Sequence, residues 1–292
     1  MTQESKTLPV EDNACCDDSC CNDTSSGHVH EQTKSYDNVV AVKTSDPNKL
    51  TEAVHSRYSD IAQQLLVKSD PKSEARAACC APDEIALENV KDTIKQNVSI
   101  PSLGSDKQLL KYADPKLGET VIDFGSGPGK DLLNIANDLK DEGKFIGVDF
   151  SEKMIEVAEK NTRELGLRNV NFVQSSLDDI NLEDNIGDLI ISNCVINLVS
   201  NKNKTFKEAY RILRKGGRIV FSDYVLDQEL DEGNVSVKSY CGCFGNNTRE
   251  YYVQGLKSAG FKDIETIVEY TVQQPMGTQT VTYYSTIFIG YK

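Results

Sequence analysis

The chain predicts an α/β fold, a mostly parallel sheet flanked by helices, on three observations. Strand and helix patterns alternate from about residue 105 onward. A glycine-rich turn, Gly125-Ser-Gly-Pro-Gly129, joins the first strand pattern to the first helix pattern. Two long strand-like runs, 264–272 and 280–291, close the chain and read as an antiparallel pair at the end of the sheet.

Residues 1–47 are rich in Asp, Glu, Ser, Thr and Asn and lack apolar periodicity, so they read as a disordered tail. A helical pattern follows over 49–67, with Leu50, Val54, Tyr58, Ile61 and Leu65 on one stripe. His55 is expected on the surface of that helix. Residues 68–78 are polar and read as a loop, and 82–95 as a short helix with Pro82 in its first turn. These pieces give a tail (1–47), a helical segment with a cysteine pair (48–104) and a sheet domain (105–292).

Within the sheet domain, 120–124 reads as a buried strand, 131–139 as a helix and 144–149 as the second strand. A helix over 151–165 is expected with Ser151 as its N-cap and Met154, Ile155 and Ala158 facing inward. Strands over 170–173 and 187–192 come next, then a helix over 204–213 closed by Lys215-Gly216-Gly217. A fifth strand is expected over 218–223 and a helix over 248–259, ended by Gly260. No internal repeat is visible.

Bulk composition removes several function classes. The net charge of -13 is the wrong sign for a phosphate-binding stripe, so nucleic acid is not the expected partner. No run of 18 apolar residues occurs, and the N-terminus lacks the basic-then-apolar order of a secretory leader. The expectation is a cytoplasmic protein without a membrane span. Nine cysteines are present, an odd number, and several are adjacent: Cys15-Cys16, Cys20-Cys21 and Cys79-Cys80. Neighbouring cysteines rarely bridge, because disulfide geometry is demanding. Reduced thiol chemistry is therefore expected rather than a disulfide framework.

Strand, glycine turn and helix together form a nucleotide-binding arrangement. The glycines permit a sharp turn and close approach of a ligand to the main chain, and Asp149, 20 residues past Gly129, ends the next strand where a carboxylate can accept from ribose hydroxyls. A dinucleotide reading competes. However, Lys130 stands where that fingerprint needs its final Gly or Ala. The G-x-G-x-G spacing, Asp123 ahead of it, the Lys-Gly-Gly before strand five and the terminal strand pair resemble the Rossmann-like, seven-stranded class I sheet of S-adenosylmethionine-dependent methyltransferases.

That resemblance implies that Asp123, Gly125, Ser126, Gly127 and Gly129 cradle the methionine portion of S-adenosylmethionine. It further implies that Asp149 holds the ribose and Met154 lies over the adenine. Ser176 would fill the slot for the adenine amine, with Leu177 beside it and Asn193 at the end of strand four.

The string Ser192-Asn-Cys-Val-Ile-Asn-Leu198 resembles, at all seven positions, the strand-four motif of the arsenite methyltransferase family. Arg57-Tyr-Ser-Asp-Ile-Ala62 followed by Cys79-Cys80 is similar to that family's N-terminal segment. Cys241 or Cys243, ahead of Ala259-Gly260-Phe261, stands for its third cysteine. The resemblance implies that trivalent arsenic, arriving as a thiol conjugate of arsenite, is held by Cys194, by Cys79 or Cys80 and by Cys241 or Cys243. Cys80, Cys194 and Cys243 are the preferred set. It also implies a thiol reductant, glutathione or thioredoxin, and a monomer is expected.

Three sulfurs suit a soft centre and leave the arsenic lone pair free to attack the methyl carbon, so no general base is needed. The chain departs from the family in reading Ser102-Leu-Gly-Ser-Asp106 ahead of the first strand and in having no Trp.

Two other readings remain: a methyltransferase for another small molecule with merely packed cysteines, and a metalloid-binding protein without turnover. The tail cysteines, with His28 and His30, read as a flexible thiol segment that captures soft ions, as a zinc site of C-x3-C spacing, or as a tail without function.

Overall fold

The computed structural model describes residues 47–67, 100, 108–140, 142–230, 247–276 and 279–292. The tail, the loop 68–78, the helix expected over 82–95 and every cysteine except Cys194 lie outside the described residues.

The described chain begins with α1 (Pro47–Val67) and a short α2 (Leu109–Ala113). There follow β1 (Thr120–Phe124), α3 (Lys130–Leu139), β2 (Lys144–Asp149), α4 (Glu152–Leu165), β3 (Val170–Gln174) and β4 (Gly187–Asn193). After a 3-10 turn at Ile196–Leu198 come α5 (Lys202–Ile212), β5 (Leu213–Val225), α6 (Arg249–Ala259), β6 (Lys262–Met276) and β7 (Gln279–Tyr291). The seven strands lie in the order β3-β2-β1-β4-β5-β7-β6. The first five are parallel, and β7 runs antiparallel to both β5 and β6. This is the class I methyltransferase sheet that the motifs imply. Connections run one way from β1 to β3 and the other way from β4, so a crevice opens at the carboxyl ends of β1 and β4.

Each strand separates two cores by its period of two. In β1, Val121 joins Leu132, Leu133 and Ile135 of α3 with Leu109 of α2. Ile122 and Phe124 join Phe206 and Ile212 of α5 with Tyr252 and Leu256 of α6. In the second core, the rings of Phe221 and Phe288 stack at 4.8 Å, and Tyr252 stacks on Phe288 at 5.1 Å. Burial of one such ring stabilises the fold by about 1.5–3 kcal/mol. No helix among the described residues is long and apolar enough to cross a membrane.

The end of α5, the start of β5 and the inward face of α4 differ from expectation. α5 ends at Ile212, because Leu213 is already extended. β5 then starts five residues before Arg218, with Gly187 opposite Leu213 and Leu189 opposite Arg218. Lys215-Gly216-Gly217 is the extra chain between those pairs, a bulge in which Gly216 takes a φ of +80°. Along α4 the inward side is Met154, Val157 and Ala158, with Ile155 only half-buried. Helix α2 was not foreseen, since five residues carry too little periodicity. It is tied down from outside: the Arg218 guanidinium donates to the Ala113 and Asp114 carbonyls and to the Glu119 carboxylate.

Candidate functional site

The glycine turn follows directly from β1. Gly125, Gly127 and Gly129 have φ values of +73°, +50° and +90°. Gly125 also has no room for a side chain, because an added Cβ would lie 2.4 Å from Val195 Cγ1. The amides of Gly125 and Ser126 donate to the Val148 carbonyl at 2.7 and 3.0 Å, which ties the turn to β2. Above this turn lies a cavity of about 450 Å³ at the switch point, a size suited to a nucleoside-bearing ligand.

Asp123, Gly125, Ser126, Gly127, Asp149, Ser176, Leu177, Asn193 and Cys194 all line it. These residues come from four separate strand ends. Two residues read as cofactor contacts lie off the wall. Gly129 is the N-cap of α3, packed beside Leu133 and Ala158. Met154 is fully buried with Ala62 and Val157, under Tyr58, Ile61 and Leu65 of α1. It is part of the contact between α1 and α4, because Ser151 caps the helix in a register that turns Met154 inward.

Asp149 is buried, and its carboxylate is oriented by the main chain. One oxygen accepts from Gly127 N and the other from Ser151 N, both at 2.9 Å. Burial pushes its pKa up to about 6, against those amides and the nearby His55. A carboxylate oxygen has more than one acceptor site, so a ribose diol can still be taken. Burial raises Asp123 well above the usual carboxylate range, and the charges of Asp131 and Asp149 add to it. Three acids against one cavity wall favour a ligand that carries positive charge. The Ser176 hydroxyl donates to Asp178, and Leu177 extends the apolar floor.

Two contributors were missed in the sequence. Asp131, in the first turn of α3, accepts from the Asn193 side chain at 3.0 Å and so links the glycine turn to the end of β4. An acid directly behind a glycine turn is the signal that was available. The second is the face of α1 carrying Thr51, Val54, His55 and Tyr58, which covers one side of the cavity. His55 is exposed, as expected of a surface histidine, yet its ring lies 5.2 Å from Phe150 on the cavity wall. Only the packing of α1 on α4 reveals this.

Cys194 is 2% exposed and follows β4 with a φ of +57°, uncommon for a residue with a Cβ. Its amide donates to the Ser222 carbonyl at 2.8 Å. It packs with Tyr224, Leu226, Val281 and Tyr283 while also lining the cavity. Cys79, Cys80, Cys241 and Cys243 lie outside the described residues. Among the described residues, no cluster of three His, Cys, Asp or Glu side chains has metal-binding geometry.

A protein-family model described as "Methyltransferase domain" matches residues 115–273. An arsenite methyltransferase of Halobacterium salinarum is 32% identical over 247 residues, covering 80% of this chain and 63% of the relative. The human arsenite methyltransferase is 35% identical over 121 residues, 38% of this chain and 32% of its own. The chain thus spans less than two thirds of the length of these curated relatives. Among solved structures, an arsenic(III) S-adenosylmethionine methyltransferase from Chlamydomonas reinhardtii superposes with a TM-score of 0.53 at 26% identity. That superposition covers 75% of this chain and 73% of the other. A phosphoethanolamine N-methyltransferase 2 of Haemonchus contortus, in complex with S-adenosyl-L-methionine, shares the fold with a TM-score of 0.52 at 20% identity, covering 63% of this chain and 51% of its own.

Proposed function

This chain belongs to the methyltransferase-domain family, and from that premise we propose that it methylates thiol-bound trivalent arsenic with S-adenosylmethionine as donor. One observation carries the acceptor: Cys194 opens onto the same cavity as the glycine turn, so a soft centre on its sulfur would face the donor. The names of the relatives point the same way.

The cavity fits the donor chemically. The main chain of Gly125 to Gly127 lines the cavity and can take the amino-acid portion, the buried Asp149 carboxylate is aimed for the ribose, and the acidic wall suits the cationic sulfonium. S-adenosylmethionine supplies an electrophilic methyl to the arsenic lone pair, the carbon–sulfur bond breaking as the carbon–arsenic bond forms. The protein residues hold the two partners. Cys194 fixes the acceptor, Asn193 and Asp131 tie the end of β4 to the glycine turn, and Leu177 and Leu198 keep the wall apolar. Positioning of this kind contributes about 7–11 kcal/mol when reacting atoms are held in near-attack geometry. Because the nucleophile carries no proton, a base at the reacting atom has no role.

Cys79 or Cys80 and Cys241 or Cys243, with Cys80 and Cys243 preferred, complete the three-sulfur set in this reading. Chain geometry allows the second of these. Asn247 is bonded through its carbonyl to the Leu226 amide at 2.8 Å, and Leu226 packs with Cys194. Cys243 is four residues earlier, within a reach of about 14 Å. A thiol such as glutathione or thioredoxin would return arsenic to the trivalent state between transfers. A monomer in the cytoplasm fits a small thiol-conjugated substrate.

The test supplies arsenite, thiol and S-adenosylmethionine and separates methylated arsenic species. Mono- and dimethylarsenic are expected, with S-adenosylhomocysteine released in step. Cys194→Ser should lower the rate at least ~100-fold while cofactor affinity stays within about threefold. Intact cofactor binding without methylated arsenic would refute the acceptor. Full activity of Cys194→Ser would point to another small molecule.

A further inference from the structure

The turn that carries Cys194 is held by residues that do not touch the cavity. Cys194, Val195, Leu198 and Val199 line the cavity, and each end of this short stretch is anchored from behind. Cys194 N donates to Ser222 O at 2.8 Å. Asn197 N donates to the Asp223 carboxylate at 3.1 Å. Lys202 Nζ donates to Val199 O at 2.9 Å. The buried Tyr252 hydroxyl lies close to the same Asp223 carboxylate without a hydrogen bond to it. Asp223 and Tyr252 are fully buried, and Lys202 nearly so.

We propose that Asp223, together with Lys202 and Tyr252, is a positioning assembly that fixes the 194–199 turn and thereby aims the Cys194 thiol into the cavity.

Two physical points support this. A left-handed conformation at a residue with a Cβ persists only where the surroundings over-determine it, and here the anchors are one main-chain bond, the Asp223 carboxylate and the Lys202 ammonium. Burying opposite charges is also a poor route to stability, since apolar residues of similar volume hold a fold as well. Asp223 and Lys202 are each disfavoured by burial and each partly restored by the other. Such a pair is retained for what it orients, and what it orients here is the cavity-facing turn. None of the three residues lines the cavity, so none is assigned contact with substrate.

The test reads Cys194 directly. In Asp223→Leu/Lys202→Met the pair is replaced by apolar groups, so no buried charge is stranded. In Tyr252→Phe the ring keeps its packing on Phe221 and Phe288. Each folded variant is treated with iodoacetamide, and alkylation of Cys194 is followed by peptide mapping. The expected result is alkylation accelerated by about tenfold or more, because the turn opens more often. Affinity for S-adenosylhomocysteine should stay within about threefold, and kcat for arsenite should fall about 10–100-fold with little change in KM for the donor. A merely structural role would lower the melting temperature and leave both Cys194 alkylation and kcat unchanged, and that outcome in either variant overturns the assignment. The kinetic arm rests on the arsenic reading. The alkylation arm does not, so it decides the matter even if the wild-type protein makes no methylated arsenic.

Discussion

Gly125 is the residue at which backbone and packing requirements coincide. Its φ of +73° is costly for any other residue, and its missing Cβ is the space that Val195 occupies. Gly125→Ala should therefore destabilise the fold by about 1–3 kcal/mol and weaken cofactor binding at least ~tenfold, measured by thermal melting and calorimetry. Asp149 leads to a pH prediction. Its pKa is raised to about 6, chiefly by burial, and a donor ribose needs the ionised carboxylate. Cofactor affinity should hold above pH 7 and fall as pH drops through about 6, reaching roughly tenfold per unit below it. The sign for the ligand-free fold is opposite. A carboxyl whose pKa is raised on folding favours the folded state below its unfolded value and loses that contribution as pH rises through 6. Calorimetric titration with S-adenosylhomocysteine from pH 5 to 8 separates the two effects. Glycines and acids at fixed spacing are legible from sequence because the turn is local. The packing of Met154 against α1 was not legible, because that helix lies about ninety residues earlier in the chain.

At the level of elements, local signals set most boundaries. β1 and β2 lie where their apolar runs predict, and α4 and α6 start on Ser151 and Thr248, whose hydroxyls accept from Met154 N and Tyr251 N. Gly166 and Gly260 end the same helices in left-handed conformations. β5 was less legible, because Lys215-Gly216-Gly217 reads as a stop whereas strand pairing continues on both sides of it. A bulge is a property of two strands and cannot be read from one. Ser151 links element to site, since its amide binds Asp149 while its side chain caps α4. Ser151→Ala keeps the amide and removes the cap. The expected loss is about 1 kcal/mol, or roughly 2–4 °C in melting temperature, with cofactor affinity changed less than about threefold. A large loss of affinity instead would mean that the cap, and not the main chain alone, orients the carboxylate.

Across the whole molecule, the site exists because the sheet reverses direction between β1 and β4. That reversal brings residues near 125, 149, 176 and 194 to one cavity, although the chain between them builds two cores. A mostly parallel sheet was legible from the alternation of patterns, and its class I type from the motifs, but the covering of one side by α1 was not, since nothing local marks which helix face meets a ligand. The consequence is a global one. A ligand that touches four strand ends and α1 binds only the folded chain, so it should stabilise the fold by mass action. S-adenosylhomocysteine at 100 times its Kd should add about 2.7 kcal/mol, a rise of roughly 5–10 °C in melting temperature for a domain of this size. The rise should grow with the logarithm of ligand concentration. Nicotinamide dinucleotides at the same concentration should give no shift. The position after Gly129 is Lys130 at the first turn of α3, where a dinucleotide site needs a small residue for close packing of the helix on the strand. A comparable shift with NAD would assign the glycine turn to a different cofactor, and the acceptor chemistry built on Cys194 would fall with it.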